Sequence, residues 1–297
     1  MDLSLANIAK WSESNKPTEI DPFKPQTLGE YVGQQKAKKI ASIMIEAAKK
    51  DQRPLPNVLI TGQFGQGKTS LARLMADDFD PSILLVDATA VNKEVPQSGT
   101  YIIDEIHNLN PDVCDSLNIA IDDSKIHIIG CSTNPGALPA AFRSRFRQIY
   151  LEPYSANNIS DIVARVLIRK QMNAASGVLR EIAIRSRYNP RVALNYLAHI
   201  LDLATLRGTS TITIPICTTA FEQLGVDKYG FLARDQVYID AIPVDGRAVG
   251  LQYISAVTSI DPQTIEQEVE PYLMQMGLID RTPRGRVRVP AIIKKYV

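Results

Sequence analysis

Gly62, Gly67, Lys68 and Thr69 complete the pattern G-x-x-x-x-G-K-T within GQFGQGKTS, and Gly65 adds a glycine inside the loop. This spacing suits phosphate. Glycines let backbone N–H groups curl around phosphate oxygens, the start of a following helix favours an anion, Lys68 supplies a point charge, and the Thr69 hydroxyl can ligate magnesium. Further on, Tyr101-Ile102-Ile103-Asp104-Glu105 ends an apolar run in two acids. Asp104 is suited to holding magnesium through water, and Glu105 to orienting and deprotonating an attacking water. Another apolar run, 126–132, ends in Ser132-Thr133-Asn134, polar groups suited to a water or a γ-phosphate, and Arg143-Ser144-Arg145-Phe146 follows. A guanidinium aimed at a γ-phosphate stabilises transition-state charge, and one supplied by a neighbouring subunit makes hydrolysis depend on assembly. His107 lies close to Glu105, where a packing role in the loop and a role in the site are both open.

Such residues need a scaffold that presents strand ends and helix starts together. Residues 37–49 read as an amphipathic helix that Pro54 to Pro56 end, and apolar runs at 57–61, 83–87, 101–104, 126–132 and 149–151 suit buried strands. Helical stretches such as 68–76 and 111–120 separate most of them, so the expected fold is α/β, a parallel sheet covered on both faces. After Pro153 the strands stop. Helices are expected at 157–171, 177–186 and 190–206, the last two joined through Tyr188, Asn189 and Pro190, and the Thr- and Ser-rich 208–215 reads as a linker or short extended segment. Helices at 233–241, 249–257 and 262–276, then Gly277 and a strand-like 286–289, outline a winged helix. The expected domains are a flexible leader 1–25, an α/β domain 26–153, a helical domain 154–228 and a winged-helix domain 229–297.

Composition narrows the function classes. The 297 residues are 45% hydrophobic and 22% charged, with 33 basic and 32 acidic side chains, which excludes disordered and collagen-like chains. Cys114, Cys131 and Cys217 are odd in number and widely spaced, as expected of a reducing cytoplasm and neither of a disulfide framework nor of a zinc site. The first residues lack a secretory pattern, and no 18-residue apolar stretch occurs, so no membrane span is expected. Charge is segregated: residues 281–297 hold six basic side chains and no acid, leaving 27 basic against 32 acidic in the rest. A basic end of this kind suits a polyanion such as DNA, although solvated faces also collect charge.

In this order the motifs resemble the AAA+ ATPases, and within them the RuvB branch-migration motors, from about residue 24 to the end. The most specific stretches are KPQTLGEYVGQQKAK, IDEIHNL, SRYNPRVALNYL and EPYLMQMGLIDRTPRGRV. The resemblance implies an AAA+ P-loop sheet, a helical lid, a C-terminal winged helix, and an ATP- and Mg2+-dependent ring, expected to be a hexamer, that moves duplex or branched (Holliday-junction) DNA. It implies that Lys24, in place of the usual arginine, Tyr31 and Val32 surround the adenine, and that Gly65, Lys68, Thr69 and Ser70 hold phosphates and metal. Asp104 and Glu105 match the Walker B acids, Thr133 or Asn134 the polar sensor, and Arg145 the arginine finger, with Arg143 in reserve. Tyr154 matches the aromatic beside the nucleotide, Arg191 in Asn189-Pro190-Arg191 the second sensor, and Arg281, Arg284 and Arg286 the DNA-contacting wing.

Two departures stand out. Gln63 and Phe64 occupy the loop positions where the family usually has two prolines. Only Asp122-Asp123-Ser124-Lys125 separates the helix after the Walker B acids from the next strand, too few residues for the long β-hairpin with which the family grips its partner RuvA. The expectation is therefore a motor that does not bind RuvA in the usual way, and that loads unaided or through another contact, with Leu5, Ile8 and Trp11 of the leader a candidate amphipathic face. Two rivals stay open at this level: a non-translocating AAA+ loader or assembly switch, and a DNA-binding regulator whose nucleotide site is structural.

Overall fold

Five short apolar runs become the five strands of one parallel sheet, in the order β2-β3-β4-β1-β5. The strands are β1 (Val58–Thr61), β2 (Leu84–Asp87), β3 (Gly99–Asp104), β4 (Ile126–Ser132) and β5 (Arg147–Tyr150). Alternation along each strand feeds two cores. Val58, Ile60, Ile102 and Ile129 face one side, against α1 (Gln35–Lys50) and α2 (Lys68–Phe79), while Leu59, Ile103 and Ile128 face the other, with Ile106, Leu117 and Phe142. In α1 the buried positions Ala37, Ala41, Met44, Ile45 and Ala48 recur at helical spacing, which is why that face packs on the sheet. The computed structural model describes residues 21–289; the leader residues Leu5, Ile8 and Trp11 and the terminal Lys294 and Lys295 lie outside the described residues.

The order of strands positions the chemistry. β4 lies between β1 and β3, with Thr61 beside Ser132 and Ile103 beside Gly130, so the loops leaving these three strands emerge together at their carboxyl ends. Open α/β sheets bind ligands at that edge. The helix after the Walker B turn, α3 (Pro111–Asp122), is followed by only three residues before β4, and α4 (Ala156–Arg169) begins with a capping box at Ser155 and Asn158. Two compact units divide between Lys170 and Gln171, and all of these elements belong to the first.

The second unit contains α5 (Val178–Arg185), α6 (Pro190–Leu206) and α7 (Ile214–Gln223), then α8 (Ala233–Asp240), α9 (Leu251–Thr258) and a helical run over 262–275 whose middle, Ile265–Val269, is a π-helix. A hairpin of β6 (Ile279–Thr282) and β7 (Gly285–Arg288) ends it, as a winged helix requires. The short extended segment expected within 208–215 is Thr211–Ile212, which pairs in parallel with Asn173–Ala174, and Ile214–Gln223, given no element in the sequence reading, is a full helix. Pro215 sits in the first turn of that helix, where its missing N–H is no loss. The wing also has a first strand, Ile279–Thr282, hidden in the sequence by its charged Asp280 and Arg281.

Candidate active site

The phosphate loop is shaped by its own side chains and two left-handed glycines. Gly65 and Gly67 take φ values of 77° and 87°, and Gly67 caps α2. A side chain at Gly67 would also meet the Tyr31 hydroxyl, 2.9 Å from the position of its Cβ. Tyr31, 4% exposed, donates from that hydroxyl to Gly67 O at 3.1 Å, and burial pushes its phenol well above the usual range. Gln66 is buried and accepts the Gln63 N–H at 3.0 Å. Gln63 and Gln66 thus brace the loop that two prolines would otherwise stiffen. Lys68 is buried, and its Nζ donates to Gly62 O at 3.1 Å and Gln63 O at 3.0 Å.

Opposite the loop, the strand ends assemble. Thr69 Oγ1 donates to Asp104 Oδ2 at 2.9 Å, and Asp104 Oδ1 accepts the Glu105 N–H at 3.1 Å. Glu105 adopts a left-handed backbone (φ 46°), a sparsely used conformation for a residue with a side chain. Thr133 Oγ1 donates to Glu105 Oε2 at 3.2 Å. Sequence left Thr133 and Asn134 as alternatives; it is Thr133 that reaches Glu105, while Asn134 is exposed and donates its backbone N–H to Ser132 Oγ at 3.1 Å. Among the described residues no group of three or more His, Cys, Asp or Glu is placed to hold a metal. The three cysteines are buried, and burial raises their thiols, Cys114 and Cys217 to about 11, so they supply no nucleophile.

The segment before α1 is strapped down by two arginines that sequence reasoning missed. Arg165 donates to Glu30 O at 2.7 Å, and Arg169 donates to Lys24 O at 2.6 Å and Glu30 Oε2 at 2.5 Å. Both lie on α4, far along the chain, and nothing local signals the contact. They hold the backbone that carries Lys24, Tyr31 and Val32. Val32 lines a shallow cleft with Gln35, Lys36, Glu152 and Asn158, Tyr154 is buried, and Lys24 points to Asp21 at 3.2 Å. Ser70, in the first turn of α2, is half-buried.

The two candidate fingers differ. Arg143 donates to Pro135 O at 3.0 Å. Arg145 is clamped by Asp122, Nε to Oδ1 at 2.9 Å and Nη2 to Oδ2 at 2.6 Å, with Nη1 donating to Ala141 O at 2.6 Å. The acid that takes it closes α3, where the longer hairpin would begin. In the second unit, Pro190 and Arg191 open α6, capped by Asn189, whose Oδ1 accepts the Arg191 N–H at 3.0 Å. Just before them, Arg187 and Tyr188 are both left-handed, and Arg187 forms an ion pair with fully buried Asp235 while lying 5.0 Å from the Tyr272 ring centre.

The wing arginines part company. Glu270, fully buried, accepts Tyr238 OH at 2.7 Å, Arg281 Nε at 2.5 Å and Arg286 Nε at 2.8 Å, and Arg286 also reaches Glu266 at 2.9 Å. Only 14% of the Arg286 side chain is exposed. The three predicted wing arginines sit differently: Arg286 pairs with Glu270 and Glu266, Arg281 is shared between Glu270 and solvent, and Arg284 is exposed at the hairpin turn.

Three family models match consecutive stretches: the P-loop domain of the Holliday junction DNA helicase RuvB over 23–141, the RuvB AAA lid domain over 154–227 and the RuvB C-terminal winged-helix domain over 228–293. The solved RuvB Holliday junction branch migration motor of Thermotoga maritima is 30% identical, with a TM-score of 0.83 over 93% of this chain and 97% of that one. The chain belongs to the RuvB family. Two single-substitution variants of the same Thermotoga maritima RuvB match it at 30% and 29% identity, each with a TM-score of 0.82, over 93% and 92% of this chain and 97% of theirs. As a RuvB-family P-loop ATPase it binds ATP. Among its described residues, no helix is long and apolar enough to cross a membrane.

Proposed function

We propose that this chain is a RuvB-type motor that hydrolyses ATP and drives branch migration of Holliday-junction DNA, divided into an ATPase domain (26–153), a lid (154–228) and a winged helix (229–297). One observation carries the reading: Thr69 from the first turn of α2, Asp104 and Glu105 from the end of β3, and Thr133 from the end of β4 meet beside the phosphate loop. In this reading the loop amides and Lys68 hold the phosphates. Glu105 takes a proton from water as the water oxygen attacks the γ-phosphorus and the bond to the bridging oxygen breaks, releasing ADP and phosphate. The Thr69 hydroxyl and Asp104 carboxylate are hard oxygen donors of the kind Mg2+ takes together with substrate phosphates, and they would hold it. Bound there, it would neutralise charge on the phosphate oxygens.

Arg145 from a neighbouring subunit completes the site, which makes hydrolysis a property of a homo-oligomeric ring, a hexamer in this reading. Tyr31, Val32 and Tyr154 flank the base. The tight turn after α3, with Ser124 left-handed and Lys125 paired to Asp123, supports the reading that RuvA is not gripped in the usual way. The test is a branch-migration assay on a synthetic four-way junction with ATP, with and without RuvA. ATP-dependent migration that RuvA neither requires nor stimulates is expected. A protein that hydrolyses ATP but never moves a junction would be a loader instead.

A further inference from the structure

We propose that His107 is a positioning residue for hydrolysis, holding Glu105 so that one chosen carboxylate oxygen is presented to water. The proposal rests on the reading of Glu105 as the group that activates water. His107 Nδ1 lies 3.2 Å from Glu105 Oε2 and 3.2 Å from Ser132 Oγ, and the ring is 13% exposed against 33% for Glu105. A carboxylate only accepts, so a proton on Nδ1 would serve this contact. Ser132 is fully buried and accepts the Asn134 N–H at 3.1 Å, so its oxygen is fixed in place as the second neighbour of Nδ1.

The geometry gives His107 work that Thr133 alone does not do. Thr133 Oγ1, which donates at 3.2 Å, and His107 Nδ1, 3.2 Å away, approach the same oxygen, Oε2. Oε1 is therefore the atom that takes the water. A glutamate pinned through one oxygen by donors from two directions cannot swing between rotamers, and its reactive oxygen is oriented before the substrate arrives. The same ring joins the turn Ile106–Asn108 to the end of β4, since Ser132 belongs to that strand. Gly130 in β4 allows this approach: a Cβ there would stand 2.7 Å from Ile106 Cδ1.

The variants are His107→Ala, His107→Asn and His107→Gln, with Glu105→Gln as control, each assayed for steady-state ATP turnover and for binding of labelled ATP. Asparagine can place an amide N–H near the position of Nδ1, whereas glutamine places it near Nε2. His107→Ala is expected to lower kcat by about 10- to 100-fold, the range that follows from a misplaced base, with ATP affinity unchanged. His107→Asn should recover most of the loss and His107→Gln should not. Wild-type kcat in His107→Ala beside an inactive Glu105→Gln overturns the role of His107 alone. Turnover by Glu105→Gln overturns the underlying reading. If His107→Ala melts early, the Asn and Gln variants decide, because both keep a polar amide: equal turnover in the two overturns the proposal.

Discussion

The phosphate site and the wing are both rich in charged residues, but they turn sequence into geometry in opposite ways. At the phosphate site the residues named by the motif converge: Thr69 meets Asp104, and Glu105 meets Thr133. In the wing, residues grouped by their charge separate, with Arg286 turned onto Glu270 and Arg284 left at the exposed turn. The difference is one of leash length. Glycines, short hydroxyl side chains and strand ends have their positions set by the backbone that carries them. A long guanidinium goes to whichever carboxylate the tertiary structure offers, and one buried as deeply as Glu270 outcompetes solvent.

The comparison breaks first at the phosphate site if its convergence is not catalytic. Glu105→Gln should cut turnover by roughly 10²- to 10⁴-fold, the range for loss of a general base, while retaining ATP, and Lys68→Ala should lose ATP itself. Labelled ATP reads both outcomes, and normal hydrolysis by Glu105→Gln would remove the assignment. In the wing, Arg286→Ala should destabilise the fold by about 3 kcal/mol, because it leaves part of a buried carboxylate without its charge partner. Denaturant titration measures this, and a change below about 0.5 kcal/mol, the range of an ordinary surface substitution, would return Arg286 to the solvated face.

Smaller effects sharpen the contrast. Arg145 is held by Asp122 within one protomer, so its action on a neighbour must appear in mixtures. Inactive Arg145→Ala and inactive Glu105→Gln subunits, once shown to exchange, should regain part of the ATPase activity, since some interfaces then hold both intact groups. No recovery would make Arg145 a local structural residue. The smallest effect is expected of Arg284→Ala: DNA affinity falls about equally across sequences, and the slope of log affinity against log salt drops by about one. A sequence-dependent loss would make Arg284 a base reader.

Much of the architecture was legible without coordinates because it follows from local rules. Short apolar runs marked the five strands, the helix 190–206 was placed to the residue, and the P-loop, Walker B acids and wing outline came from spacing. The helix Ile214–Gln223 was missed because the Thr- and Ser-rich stretch that runs into it reads as linker or extended chain. Among the site residues, sequence alone determined which chemistries were present and in what order along the chain, since residue type and short spacing are all that a phosphate loop or an acidic strand end requires. Tertiary structure decided which partner each flexible side chain takes. It put Thr133 rather than Asn134 on Glu105, gave Arg145 to Asp122, strapped Lys24 and Glu30 to Arg169, and turned Arg281 and Arg286 onto Glu270. Those pairs lie 11 to 145 residues apart in the chain. Only the packing of helices and strands brings them within hydrogen-bonding distance, and where the partner is buried, as Glu270 is, desolvation strengthens the contact.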